Sequence, residues 1–289
     1  MTYMPGIDLG GLQADLGGIP LGTADASGVA WSLQSLEGWD SPEVRAELQQ
    51  REGDHGAWPA PVYLGERPIT LAGTVTAPDR AALDDALERL RAAVGLGDTT
   101  LIVRETLPKQ ATVRRSGKLL MQYVTDRIST YSVLVTAADP RRYSTVMQQG
   151  STGLPSTSGG VTLPYTLPYT ISATTTAGQI TAYNEGSIAT KPVLTISGPV
   201  SQPQVIAQMP DGSVRFLNYS QDLAVGEFLV IDTGARTVVL NGNVSRRRFL
   251  ATPTSWPDIA AGATVTFQFR AATYNPSALL TATWRSAWM

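Results

Sequence analysis

The chain contains no cysteine, which excludes disulfide bonds, thiolate metal sites and a cysteine nucleophile. Any stability it has outside a cell must come from packing or assembly. It has one histidine, His55, so a Ser-His triad has a single candidate base, and no Gly-x-Ser-x-Gly elbow exists to present the serine. P-loop, dinucleotide and His-rich metal patterns are missing as well. No apolar run approaches the ~18 residues of a membrane span, and residues 1–22 lack the basic start and apolar core of a signal peptide. The expectation is a chain made and folded in a cytoplasm, without membrane insertion. Charged residues are scarce at 16%, and a net charge of -2 supplies none of the positive footprint that nucleic-acid binding needs.

What is present points to short strands joined by turns. Hydrophobic residues at 43% suffice for a sizeable core, and 27 glycines with 19 prolines suit turn-rich β structure rather than helical bundles. With 289 residues, two domains are expected. The Arg114-Arg115 and Arg141-Arg142 pairs and the Arg246-Arg247-Arg248 triplet are read as solvated faces or subunit contacts. The glycosylation-like triplets Asn218-Tyr219-Ser220 and Asn243-Val244-Ser245 are read as turn residues.

One segment has helical periodicity. Over residues 79–94, Leu83, Leu87, Leu90 and Val94 recur at helical spacing, Pro78 marks the entry and Gly95 the exit. Period-two alternation surrounds it: Ile69, Leu71, Gly73 and Val75 before, then Leu101 and Val103, residues 112–114 and 119–123, and Tyr131, Val133, Val135 and Ala137. Residues 1–145 are therefore expected to form a β-sheet or barrel with one flanking helix. Residues 146–160, rich in Gln, Ser, Thr and Gly, read as a linker or loop. Residues 161–289 read as strands at 169–173, 179–183, 192–197, 205–208, 213–217, 227–232, 236–240 and 264–270, a β-sandwich of jelly-roll type. The tandem Leu163-Pro164-Tyr165-Thr166 and Leu167-Pro168-Tyr169-Thr170 is a short duplication, too small for a solenoid.

Two motifs invite chemistry. Asp232-Thr233-Gly234 follows a hydrophobic strand, as in aspartic proteases, but that chemistry needs a second such aspartate and the chain has one copy. The alternative reading is a hairpin in which Gly234 takes positive φ and residues 236–240 pair back. Trp256, Trp284 and Trp288 are a candidate aromatic platform of a carbohydrate-binding module, or else core and interface aromatics. His55, in a Gly-Asp-His-Gly turn beside Trp58, reads as a hydrogen bonder that orders its loop. No catalytic residue, cofactor or metal is assigned.

The block from Trp39 to Arg45 (Trp-Asp-Ser-Pro-Glu-Val-Arg), the turn His55-Gly56-Ala57-Trp58, the strand beginning Ile69-Thr70-Leu71 ahead of a short helix and the closing Ala138-Asp139-Pro140-Arg141 resemble the N-terminal domain of distal tail proteins (Dit) of siphophages. The nearest likeness is to minor tail proteins of actinobacterial phages. Pro192-Val193-Leu194-Thr195-Ile196-Ser197-Gly198-Pro199, Gly226-Glu227-Phe228-Leu229-Val230-Ile231-Asp232 and the final Trp284-Arg285-Ser286-Ala287-Trp288 resemble the same family's galectin-like C-terminal domain. The resemblance implies a structural, non-enzymatic protein of the virion tail tip, a homohexameric ring whose N-terminal domains line a channel. Implied partners are the tail tube protein, a tail-associated hub protein, the tape measure protein and adhesion or receptor-binding proteins, with genomic DNA passing without specific binding. A cyclic ring needs two different patches of one subunit to meet, and Arg-carboxylate pairs are suited to this. Arg45, Arg51, Asp54, Arg67 and Arg141 are the candidate interface residues. Galectin sugar sites use histidine, and residues 161–289 have none, so sugar binding is not carried over.

Overall fold

Period-two alternation produces the framework of the first unit. In the computed structural model, which describes residues 11–158, 174–251 and 254–289, contacts divide the chain into residues 1–145 with Met289 and residues 146–288. Strand Arg67–Thr76 buries Arg67, Ile69, Leu71, Gly73 and Val75 and turns the intervening residues away. Ile128–Ala137 pairs along its whole length and buries Tyr131, Val133, Val135 and Ala137. The antiparallel order runs Ile19–Leu21, Gln13–Leu16, Thr99–Arg104, Lys109–Arg115, Ile128–Ala137, Arg67–Thr76, Ala30–Glu37, Thr23–Ala24. Its first and last members are separated by Gly22 alone, so the sheet returns on itself as a barrel. Gly22 stands at φ +87, and a Cβ there would lie 2.5 Å from the Leu12 carbonyl oxygen. Only glycine fits that corner.

A second close approach fixes the middle of the sheet. Gly73 lies between Tyr131 and Leu33 in the register, and a Cβ on it would sit 1.8 Å from the Ser32 carbonyl oxygen. Tyr131 covers the gap: its hydroxyl donates to that same oxygen at 3.0 Å, and its ring meets Trp31 edge-on with centroids 6.2 Å apart. The expected helix forms as Arg80–Ala93, capped by Asp79, whose carboxylate accepts from the Ala82 N–H at 2.8 Å. Leu83, Ala86, Leu87 and Leu90 are buried in the barrel's core cluster. Each buried leucine contributes roughly 1.5 to 3 kcal/mol, so packing rather than propensity holds this helix.

The second unit is the expected sandwich of two antiparallel sheets. One runs Gln148–Gly153, Leu279–Trp284, Val193–Ser197, Phe228–Asp232, Thr237–Leu240, Val244–Ser245; the other runs Gln179–Tyr183, Thr264–Arg270, Gln204–Gln208, Val214–Asn218. Leu194, Ile196, Leu229, Ile231 and Leu280 from the first sheet share a core with Val205, Leu217, Val265, Phe267 and Phe269 from the second. Asn184, fully buried, ties the unit's loops together. Its amide donates to Ile188, Ile259 and Ala260 carbonyls at 2.8 to 3.2 Å, and its oxygen accepts from Gly186 and Ala287 N–H groups.

Three expectations change. The stretch read as linker contains strand Gln148–Gly153, paired residue for residue with Leu279–Trp284; its polar composition suits a sheet edge. Asn218 ends a strand instead of sitting in a turn. The hairpin after Asp232 forms as expected, but the left-handed residue is Arg236, at φ 55, not Gly234. The strand expected at 169–173 and the 163–170 duplication lie outside the described residues.

Asp25 locks the barrel's corner loop to the helix. Its nearly buried carboxylate accepts from Ser27, Val29 and Trp31 Nε1 and pairs with Arg89 at 2.9 Å. Burial works to raise its pKa, but the hydrogen bonds from Ser27, Trp31, Arg89 and Val29 outweigh it and hold the carboxyl far below the ordinary value. A folded-state pKa below the unfolded one gives stability that is present above about pH 4 and drains away as pH falls below it. Thermal melts from pH 6 to pH 2 are expected to show the first unit's transition falling through this window. Asp25→Asn should lower the melting temperature at pH 6 and flatten that slope.

Candidate assembly interface

Between Ala30–Glu37 and Arg67–Thr76 the chain leaves the barrel as a hairpin arm. Val44–Arg45 pairs with Tyr63–Leu64 and Leu48–Gln50 with Ala57–Pro59, and the Arg51 N–H donates to the Gly56 carbonyl at 3.1 Å to close the tip. At the tip the Asp54 carboxylate accepts from the His55 backbone N–H at 2.7 Å. The aspartate therefore shapes this turn, and His55, expected to order the loop through its side chain, is exposed.

Both roots of the arm are anchored. Trp39 is buried, and its Nε1 donates to Glu105 at 2.5 Å. Glu105 also pairs with Lys109 and, at 3.4 Å, with Arg142, whose guanidinium lies 5.5 Å from the Trp39 ring centroid. Burial pushes the Glu105 pKa up, but the Lys109 and Trp39 hydrogen bonds and the flanking charges bring it below the ordinary value. At the other root, Arg67 is wholly buried; Nε donates to the Pro140 carbonyl at 2.8 Å, and Nη1 donates to the carbonyls of Gly38, at 3.3 Å, and Trp39. Desolvation, reinforced by the charge of Arg142, lowers its pKa to about 10, which leaves it protonated at neutral pH. Arg67 was expected at a subunit surface. It is instead an internal clamp, because three backbone carbonyls converge where a forked donor can reach them.

The arm itself is poorly covered. Val44, Leu48, Trp58, Val62 and Tyr63 are each more than half exposed. Arg51 lies over the Trp58 ring at 4.5 Å and pairs with Asp54 at 3.7 Å. Of the candidate interface residues, Arg51 and Asp54 meet at the tip and Arg45 is exposed nearer the root. Arg141 lies elsewhere, paired with Asp139 at 3.0 Å, whose other oxygen accepts from Tyr143 at 2.6 Å. Sequence reading passed over Val44, Leu48, Val62 and Tyr63. Their signal was the pair of short runs, Leu48-Gln49-Gln50 and Ala57-Trp58-Pro59, flanking a glycine-bounded turn.

In the second unit, the Asp232 carboxylate accepts from Gly234 and Ala235 N–H groups at 2.7 and 2.8 Å, while Thr233 donates to the Pro192 carbonyl. That carboxylate is occupied in building a turn. The aromatic platform does not assemble from its three tryptophans. Trp284 is buried, its Nε1 donating to the Tyr183 carbonyl at 2.8 Å; Trp256 is half-buried, with Arg247 5.7 Å from its ring centroid; and Trp288 is half-buried.

Residues 185–288 match the family described as the siphovirus-type tail component, C-terminal domain. That match lies within the second unit. The whole chain also has the fold of the SPP1 Dit protein, whose crystal structure is described as a paradigm of the hub adsorption apparatus in phages infecting Gram-positive bacteria. That alignment has a TM-score of 0.65 at 12% identity and covers 96% of this chain and 99% of the other. A chain of the phage P2 baseplate, in its activated conformation with calcium, aligns with a TM-score of 0.52 at 9% identity, covering 94% and 97%. At these identities the likeness is one of fold. No curated protein matches the chain significantly.

The second unit is thus preceded by a barrel whose arm depends on one guanidinium. Arg67→Lys keeps the charge but offers a single head to three separated carbonyls, and is expected to cost about 2 to 4 kcal/mol of the first unit's stability in urea titration. Arg141→Lys, on an exposed pair, should cost less than about 1 kcal/mol.

Proposed function

We propose that this chain is a non-enzymatic structural hub of a long non-contractile phage tail tip, assembled as a homohexameric ring. The observation that carries the reading is the arm. A lone two-stranded hairpin is marginal in water unless something packs on it, and this one displays five large apolar side chains. A second copy of the chain is the natural occupant, because a cyclic ring joins one patch of each subunit to a different patch of the next. Arg51, Trp58 and Leu48 supply the guanidinium, aromatic and aliphatic anchors of such a contact. The fold shared with SPP1 Dit and with the P2 baseplate chain supports the same reading.

In this role the first unit lines the channel. Residues 1–145 carry 14 basic and 18 acidic side chains, a balance that lets DNA pass without gripping its phosphates. The tail tube protein, a tail-associated hub protein, the tape measure protein and adhesion proteins are the partners of the hub, which forms in the host cytoplasm and ends in the virion. The turn-building role of Asp232 supports structure over proteolysis.

Light scattering of the purified chain is expected to give a ring mass at micromolar concentration. The Leu48→Ser, Trp58→Ala double variant should give the monomer mass, since losing two interface anchors costs on the order of 2 kcal/mol or more each. Its circular dichroism spectrum should match that of the wild type, because neither side chain belongs to a core. A wild-type chain that stays monomeric even with tube protein present would overturn the hub.

A further inference from the structure

The first unit keeps one strand edge that no described strand covers. Leu120–Thr125 pairs with Ile128–Ala137 on one side and with no described strand on the other. Edges of this kind are ordinarily guarded by charge or proline, yet Leu-Met-Gln-Tyr-Val-Thr carries neither. A register shift between Tyr123 and Thr125 is its one irregularity. Leu120 and Val124 are 59% and 60% exposed, and Tyr123 is 44% exposed. The strand is nevertheless held in place: the Tyr123 hydroxyl donates to the Asp84 carboxylate of the helix at 2.7 Å, and Arg80 lies over its ring at 4.4 Å. A partner that adds to a fixed edge loses little to ordering it.

Uncommitted positive charge frames this edge. Around its start opens a hollow of about 560 Å³ lined by Arg91, Arg115, Lys118, Leu119, Leu120 and Met121, and Arg127 follows its end. The acids nearby are already engaged: Glu88 pairs with Arg91, and Asp84 and Asp126 pair with Arg80. Arg115, Lys118 and Arg127 form no ion pair with any described residue.

The arm has the opposite character. Glu43, Glu47 and Glu52 are exposed and pair with no described cation, Arg51 is taken by Asp54, and Arg45 is the arm's one unpaired guanidinium. Leu48 and Trp58 lie among them. Each patch therefore brings apolar area, with surplus carboxylate on the arm and surplus cation at the edge. Both stand exposed in the same chain, so they do not meet within it, whereas a cyclic ring joins two different patches of successive copies. We propose that the edge strand Leu120–Thr125, flanked by Arg115, Lys118 and Arg127, is the patch on which the arm of the next copy docks. The proposal rests on the hub reading and names the other half of its contact. Main-chain and apolar groups of the edge supply attraction, and the flanking charges select the acidic arm.

Because the chain has no cysteine, crosslinking reads the contact directly. Gln49→Cys and Gln122→Cys, at exposed amides of the arm and the edge, are made as separate variants, mixed, and treated with a flexible bismaleimide. Peptide mass spectrometry is expected to find position 49 joined to position 122, a product that only two different copies can form. Lys118→Glu with Arg127→Glu should raise the protein concentration needed for the ring roughly tenfold or more in light scattering, and adding Glu47→Lys with Glu52→Lys should bring it back toward wild type. Restoration separates charge pairing from damage to the fold, since none of the four side chains belongs to a core. A ring that yields no 49–122 product, that the edge reversal leaves unchanged, or that the arm reversal fails to restore overturns the docking patch and leaves the hub reading standing. A wild-type chain that stays monomeric with tube protein present overturns the hub and the patch together.

Discussion

The first unit depends on a buried guanidinium, that of Arg67. It begins the strand Arg67–Thr76, which lies between Ile128–Ala137 and Ala30–Glu37 in the sheet, and binds the carbonyls of Gly38, Trp39 and Pro140. These three carbonyls belong to the segment leaving the barrel and to the loop closing it. Without the clamp they would be desolvated acceptors with no donor. The charge is buried without a carboxylate in hydrogen-bonding contact, so what Arg67 contributes is geometry: a rigid fork that sets where the arm departs. Trp39, held by Glu105 next to that fork, makes the root a plane instead of a hinge.

The two units deal differently with the unpaired strand edges that any sheet presents. The first unit brings the two ends of its sheet together at Gly22. The sandwich keeps its edges and dresses them with polar residues: Gln148–Gly153 forms one edge, and on another the Phe216 N–H donates to Ser255 Oγ at 3.0 Å. Loops around the sandwich are drawn inward by Asn184, each of whose polar atoms is satisfied. A satisfied buried amide specifies loop positions that apolar packing alone would leave degenerate.

Legibility in the sequence follows from this division. The strand around Leu71, the one around Val133 and the helix carrying Leu83, Leu87 and Leu90 were readable because each alternates between solvent and a core, and burial leaves a periodic signature. Gln148–Gly153 was unreadable because an edge strand of Gln, Gly, Ser and Thr has the composition of a loop; its identity comes from its partner, Leu279–Trp284. Arg67 looked like surface because arginine is nearly always exposed, and nothing local shows that three carbonyls wait around it. The Asp232 motif misled least, since the hairpin read for it as the alternative does pair back over Thr237–Leu240.

The same logic explains why the arm lies where periodicity breaks. A residue that serves the core must alternate with its neighbours, whereas a residue kept for a partner is free of that rule and costs stability in the isolated chain. Leu48 and Trp58 expose apolar surface. Each is unfavourable for the chain alone, and each becomes favourable when something else covers it. The arm's deficit is apolar area, which a protein surface fills.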